Sequence, residues 1–417
     1  MIEQMKLQAQ KAKKAAQQLA IASTNQKNDF LERLAFRLEN EQSRIEEENH
    51  QDVQAAYEAK MKSGFIDRLL LNEKRIKSMA NGLRQVAALT DPIGEVVEGW
   101  KRPNGLVVTR VRVPLGVLAI IYEARPNVTI DSIGLGIKSG NALLLRGSHS
   151  TLFSNRFLTL LARDSLRQCG LPEDAVQLIE SSSHDDISQL LSFRDCIDVA
   201  IPRGGAGLIT HVIQHSQVPV IETGVGNCHI YVDKDADLQM AERIVDNAKT
   251  QRPSVCNAVE TVLVHQDIAQ QFLPKMVNIL EQKGVEVRGC QQTRQIVPGI
   301  TPATEEDWKT EYLDLILAVK IVGHLNEAID HINTYGSRHS ESIVTENYTN
   351  AQIFLDGVDA AAVYVNASTR FTDGEQFGLG AEIGISTQKL HARGPMGLKE
   401  LTTTKFIIYG SGQIRET

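Results

Sequence analysis

From Val117 onward the chain repeats one unit, a short apolar run followed by a helix-length amphipathic segment. Val117–Tyr122, Ala142–Leu145, Val176–Ile179, Val199–Ile201 and Val218–Ile221 form a first series. Val259–Val264, Ile316–Val322, Ser342–Thr345 and Ala361–Val365 form a second. Strands buried on both faces read as continuous apolar runs, and parallel pairing requires a crossover between successive strands. Two such series predict an α/β protein with two Rossmann-like parallel-sheet domains. The length of 417 residues agrees, since one core seldom serves so long a chain. Residues 1 to about 90 instead carry helical spacing, as in Leu31, Leu34, Ala35 and Leu38.

Two segments fit neither series. Leu106–Val113, where Arg110 and Arg112 alternate with valines, and the tail Thr402–Tyr409 read as strands exposed on one face. Exposed strands need a partner, so they predict a strand-based element through which the chain self-associates as a homo-oligomer. The expected division is therefore 1–100 with 114–230 as a dinucleotide-binding domain, 231–395 as a catalytic domain, and 101–113 with 396–417 as oligomerisation strands.

Composition narrows the class. A net charge of -7 argues against nucleic-acid binding, and no run approaches the ~18 apolar residues of a membrane span. Cys169, Cys196, Cys228, Cys256 and Cys290 are few, odd in number and without metal-ligand spacing, which fits a reducing, cytoplasmic setting with no metal site. The Lys-, Gln- and Ala-rich start carries Glu3 and no Arg before Arg33, and reads as an amphipathic helix rather than a targeting peptide.

Chemistry concentrates at strand ends. Cys256 lies just before the run Val259–Val264, where a thiol can reach a cleft or pack as a small buried hydrophobe. The turn Arg203-Gly204-Gly205-Ala206-Gly207 follows one strand and opens a helix, so its amides can approach a phosphate, or merely form a tight loop. Arg146-Gly147-Ser148-His149 ends another strand, and no Asp or Glu occurs between Asn141 and Arg163. An acidic residue there would suit a ribose hydroxyl, whereas Arg with Ser and His suits a 2′-phosphate, which favours NADP(H), unless Arg146 is simply a surface residue at a strand end. Asn127, on a Pro-constrained turn, can donate to an oxyanion or simply form the turn.

Five segments together, Val117 to Asn127, Ile201 to Gly207, Ala248 to Asn257, Val363 to Gly374 and Gln388 to Gly397, resemble the aldehyde dehydrogenase superfamily over nearly the whole chain. The resemblance implies that fold, and it narrows to the branch that reduces an acyl phosphate in proline biosynthesis. The implied reaction is NADPH-dependent reduction of L-glutamyl 5-phosphate to L-glutamate 5-semialdehyde and phosphate through a cysteine thioester, with the substrate handed over by glutamate 5-kinase.

By the same resemblance, Cys256 is the nucleophile and Asn127 an oxyanion donor. Arg146, Gly147, Ser148, Gly204, Gly205 and Glu311 lie along the nucleotide. Arg125, Arg252 and Arg370 are candidates for the substrate's anionic groups, and Asn366, Ser368 and Thr369 for its amino-acid end. A stretch from Val322 to Glu341 resembles the branch's signature; its His331 and His339 either bind substrate or shape the domain. The water-activating Glu of hydrolytic relatives is displaced, with Thr223 at its position and Glu222 one place away, as suits an enzyme whose thioester must survive until hydride arrives.

Overall fold

The computed structural model describes residues 2–180 and 183–415. Contacts divide it into two compact units, residues 1–222 with 378–384 and 396–417, and residues 223–377 with 385–395.

The first unit is built on a parallel sheet in the order Val176–Leu178, Ala142–Arg146, Val117–Tyr122, Val199–Arg203. Val117–Tyr122 is buried throughout, as its unbroken apolar run requires. The predicted strand Val218–Ile221 is reduced to one bridge, Val220 to Ala200. Pro219 has no N–H to give a ladder, and only its carbonyl is used, by the Ala200 amide. Five helices precede the sheet, from Ile2–Leu19 to Glu73–Ala88. Thr24–Asn40 starts with a reciprocal Ser23/Gln26 capping box and buries Phe30, Leu31, Leu34, Ala35 and Leu38.

The two orphan segments pair with each other. Thr402–Tyr409 runs antiparallel to Val107–Pro114, which on its other side receives Val96–Lys101. This small sheet leaves Val96, Trp100, Phe406, Ile408 and Tyr409 exposed.

The second unit holds a parallel sheet in the order Thr301–Pro302, Glu286–Gly289, Ile316–Val322, Val259–His265, Cys228–Val232, Ser340–Val344, Ala362–Val365. The expected boundary at 230/231 falls inside its strand Cys228–Val232. One side packs on Phe272, Leu273, Met276 and Leu280 of the helix Gln266–Glu281. The other packs Tyr231, Leu263 and Ile343 on Ile329, Ile332 and Phe354. Among the described residues no helix is long and apolar enough to cross a membrane.

A buried ion pair joins the helix Leu238–Thr250 to the strand after Cys256. Lys249 Nζ lies 2.6 Å from Glu260 Oε2, both side chains fully buried, and also donates to the Val259 carbonyl. The Leu313 amide satisfies the other Glu260 oxygen. Burial pushes the Glu260 carboxyl up and Lys249 opposes it. Lys249→Met leaves that carboxylate buried alone and should destabilise by about 3–5 kcal/mol at pH 8. Without its lysine, Glu260 has a folded pKa above its unfolded one, so the deficit should shrink as pH falls towards 5. Urea midpoints at the two pH values check both the size and the sign.

Candidate active site

Cys256 sits half-buried in the turn between the helix Leu238–Thr250 and the strand Val259–His265. Three successive carbonyls of this turn are held from the protein's interior. The Val255 carbonyl accepts from the Ala258 amide at 3.0 Å. The Cys256 carbonyl accepts from the Cys228 thiol at 3.2 Å, and the Asn257 carbonyl from Thr369 Oγ1 at 2.8 Å. Asn257 returns the contact, its amide nitrogen donating to the Thr372 and Arg370 carbonyls. In a trans peptide the N–H points opposite to the C=O, so fixing the Val255 carbonyl fixes the direction of the Cys256 N–H.

The approach to that carbonyl is tight. A Cβ on Gly226 would stand 1.5 Å from the Cys256 oxygen. The Gly226 amide donates to Glu311 Oε1 at 2.6 Å. Burial pushes the Glu311 carboxyl up, and the Gly226 hydrogen bond opposes this. Glu311 thus grips the strand that backs Cys256. Neither Gly226 nor Cys228 had stood out as a functional residue in the sequence.

One guanidinium group, that of Arg370, stands near the cysteine, and a second, that of Arg252, stands near Arg370. Arg370 feels the charges of both Arg252 and Cys256, with Nε held by Gln251 at 2.8 Å. Arg252 is exposed. Such a pair suits a phosphate or carboxylate. Elsewhere in the 366–372 loop Ser368, Thr369 and Thr372 are buried, while Asn366 and Phe371 are exposed. Asn366, at φ +55°, spends its side-chain oxygen and nitrogen on the Thr345 backbone. Ser368 caps the following turn at the Arg370 amide, and Thr369 is fully buried. Thr223 is buried too, bridged to Ser386.

His331 and His339 are both buried. Burial, with His229 and Lys320 nearby, drives the His331 imidazole down to about 2, so it is neutral in the fold. His339 Nδ1 contacts Ser340 Oγ at 2.7 Å and Cys228 Sγ at 3.8 Å.

The first unit carries the remaining predicted residues. Arg125 is half-buried ahead of the helix Asn127–Lys138, and Asn127 opens that helix, exposed, donating to Asp131 Oδ2 at 3.0 Å. Burial pushes Asp131 up to about 6 against that bond and the Arg203 charge. An amide has two N–H donors, so Asp131 orients Asn127 and leaves it one to give.

Arg146 is not a surface residue: it is 7% exposed, its Nη2 reaches the Ser183 carbonyl at 3.4 Å, and its buried Nε has no hydrogen-bond partner among the described residues. Beside it, Gly147, Ser148, His149, Leu152, Asn155, Leu178, Ile179 and Glu180 line a pocket. A Cβ on Gly147 would collide with Asn155 Nδ2 at 2.2 Å, so the backbone must stay bare there. The Glu180 carboxylate in this lining is paired with Arg156 at 2.5 Å. A buried guanidinium whose Nε lacks a partner, beside a pocket containing Ser148 and His149, suits an anionic group. The glycine turn is different: the Gly205 amide already bonds Glu123 Oε2 at 2.9 Å, so Glu123 must move before a phosphate can meet Gly204 and Gly205.

The pattern of the aldehyde dehydrogenase family matches residues 2–310. The chain is similar to the gamma-glutamyl phosphate reductase of Moorella thermoacetica, at 58% identity over 413 residues, 99% of each chain. It is also similar to the crystal structure of gamma-glutamyl phosphate reductase from Thermotoga maritima, with a TM-score of 0.96 and 51% identity over 99% of this chain and 100% of that one. An engineered glycolyl-CoA reductase with bound NADP+ shares the fold, with a TM-score of 0.69 and 16% identity over 97% of this chain and 96% of that one.

Proposed function

This chain belongs to the aldehyde dehydrogenase family, within its gamma-glutamyl phosphate reductase branch, and we propose that it reduces L-glutamyl 5-phosphate to L-glutamate 5-semialdehyde and phosphate with NADPH, the second step of proline biosynthesis. The observation that carries the reading is a half-buried cysteine in a turn pinned carbonyl by carbonyl, with the Arg370 guanidinium in its field.

In this reading the Cys256 thiolate attacks the acyl carbon, the carbon–oxygen bond to phosphate breaks, and phosphate departs with the electron pair. Splitting one hard step in two is the benefit of covalent catalysis. Arg252 and Arg370 balance the departing charge, with Arg125 as a further anion partner. Asn127 and the Cys256 N–H are the oxyanion donors. A bound nicotinamide supplies the hydride that brings the thioester to the aldehyde level. Thr223 in place of a carboxylate leaves water unactivated, so the thioester is spared. Asn366, Ser368 and Thr369 serve the amino-acid end through the shape of their loop, since their side chains hold backbone.

Arg146, Gly147 and Ser148 are assigned to the cofactor, with Gly204 and Gly205 once Glu123 swings aside, and Glu311 close to the nicotinamide end. Arg146→Ala should raise the KM for NADPH by roughly tenfold or more and leave that for NADH nearly unchanged, because only the former loses a charge-assisted partner. Initial rates with each cofactor check this.

The three-stranded sheet, with Val107–Pro114 at its centre and Val96–Lys101 and Thr402–Tyr409 at its edges, is assigned to self-association. Phe406→Asp with Ile408→Asp places two charges on its exposed face and should shift sedimentation velocity towards the monomer; an unchanged coefficient places the interface elsewhere. The reading also goes with a cytoplasmic enzyme that receives its labile substrate from glutamate 5-kinase.

The reaction itself is tested in reverse, by following NADPH formation from glutamate semialdehyde and NADP+. Strict dependence on inorganic phosphate is expected. Phosphate-independent turnover would mean a hydrolytic dehydrogenase.

A further inference from the structure

The hydrogen bonds behind the nucleophile close into a ring. From the Cys256 carbonyl it runs to Cys228 Sγ, then to His339 Nδ1 at 3.8 Å and to Ser340 Oγ at 2.7 Å. Ser340 Oγ meets Thr372 Oγ1 at 2.6 Å, and the Thr372 carbonyl accepts from Asn257, the neighbour of Cys256. Tyr364 OH adds a branch to Thr372 Oγ1 at 2.7 Å. Cys228, His339, Ser340 and Thr372 are fully buried. The ring spans three separate strand ends and the 366–372 loop, so no single element sets it.

We propose that Cys228, His339, Ser340 and Thr372 are positioning residues for the reaction: they fix the peptide planes around Cys256 and thereby the direction of its thiol and of its N–H. This deepens the reading of Cys256 as the nucleophile and rests on it. It also gives the His339-Ser340 part of the signature segment a role without substrate contact. Burial, followed by the nearby Glu341 carboxylate, pushes the Cys228 thiol well up, so this sulfur keeps its proton and acts as a donor, in contrast to the half-buried Cys256. Replacing a buried polar side chain whose role is only structural would cost stability, through the partner left unsatisfied, and leave the rate of the folded protein as it was. Replacing one that aims a reacting group lowers that rate, since a displacement of about 1 Å at a reacting atom can cost on the order of 100-fold in rate.

The test compares two pairs of variants on opposite sides of the ring. Cys228→Ser exchanges the thiol donor for a hydroxyl and Thr372→Ser keeps its hydroxyl, whereas Cys228→Ala and Thr372→Val remove the hydrogen-bonding group. For each, kcat and KM are measured in the phosphate-dependent reverse reaction, and alkylation of Cys256 by iodoacetamide is followed by peptide mass. The proposal predicts that Ala and Val lower kcat by roughly tenfold or more while KM for the semialdehyde stays within about threefold. The Ser variants should stay within about threefold of the unmodified protein, and Cys256 should be alkylated at similar rates in all four. Equal losses within each pair, or no loss in any variant, overturn the positioning role. Should Cys228→Ala not fold, the Thr372 pair decides. If alkylating Cys256 leaves turnover intact, the nucleophile assignment itself falls, and the positioning role with it.

Discussion

Replacing Cys256 by serine should abolish phosphate-dependent turnover, with a loss on the order of 10,000-fold or more. A serine hydroxyl is not ionised near neutral pH, while a thiol is partly so and its anion is far more nucleophilic. The positive charge of Arg252 and Arg370 can favour an anion already formed at this place, and it cannot do the work of a base for an alcohol. The fold should be indifferent to the change. Cys256 is half-buried in a turn, and the contact it makes with Cys228 uses its backbone carbonyl, which serine retains. Turnover should therefore vanish while the thermal midpoint and cofactor binding stay as they were. A serine variant within tenfold of full activity would remove Cys256 from the chemistry.

Gly226→Ala should also be damaging, without touching any reacting group. The added methyl would lie 1.5 Å from the Cys256 oxygen and 2.5 Å from its Cα. No heavy atoms tolerate such distances, so either the Cys256 turn or the strand entry at Gly226 must move. The strand entry is tied down by Glu311 at Gly226, and by the Asn227 side chain, which donates to the Trp308 and Tyr335 carbonyls. Displacement should therefore fall on Cys256, lowering kcat by on the order of 100-fold. Gly82→Ala is the matched comparison, because a Cβ there meets nothing within 4 Å and the helix Glu73–Ala88 carries none of the site residues. Steady-state rates and urea midpoints for both variants separate a misplaced nucleophile from a protein that has lost its fold.

Apolar runs made much of this architecture legible. Val117–Tyr122 and Val259–His265 could hardly be anything but interior parallel strands, and both are buried throughout. The strands that escaped notice hide their apolar character. In Cys228–Val232 the second residue is His229, fully buried because its ring and amide both meet Glu341 of the neighbouring strand. A polar pair that is satisfied only across two strands cannot be recognised within either one. Glu286–Gly289 is short and alternates charged with small or apolar residues, so periodicity alone gave it no weight. Val218–Ile221 erred the other way: an apolar run in which Pro219 prevents a ladder.

The site divides along the same line. Cys256, Arg252 and Arg370 could be read from local motifs, because their chemistry belongs to the side chain itself. What holds them could not. The contact of Cys228 with Cys256 joins residues 28 apart in sequence, and that of Thr369 with Asn257 joins residues 112 apart. Thr369 illustrates the limit of motif reading, since its loop was recognisable while its hydroxyl meets the Asn257 carbonyl inside the protein and not the surface. Arg146 shows the converse: as a residue at a strand end it could have been ordinary surface, and burial with an unpartnered Nε gives it a function to look for.

The central claim is a thioester formed at Cys256 as phosphate leaves. The most direct test mixes the enzyme with freshly generated L-glutamyl 5-phosphate in the absence of reduced nicotinamide cofactor, quenches in acid within seconds, and maps the peptides by mass. The account predicts a glutamyl adduct on the peptide containing Cys256, released by hydroxylamine, with one phosphate liberated per adduct. Stoichiometric phosphate release with Cys256 unmodified, or an adduct carried by another residue, would contradict it.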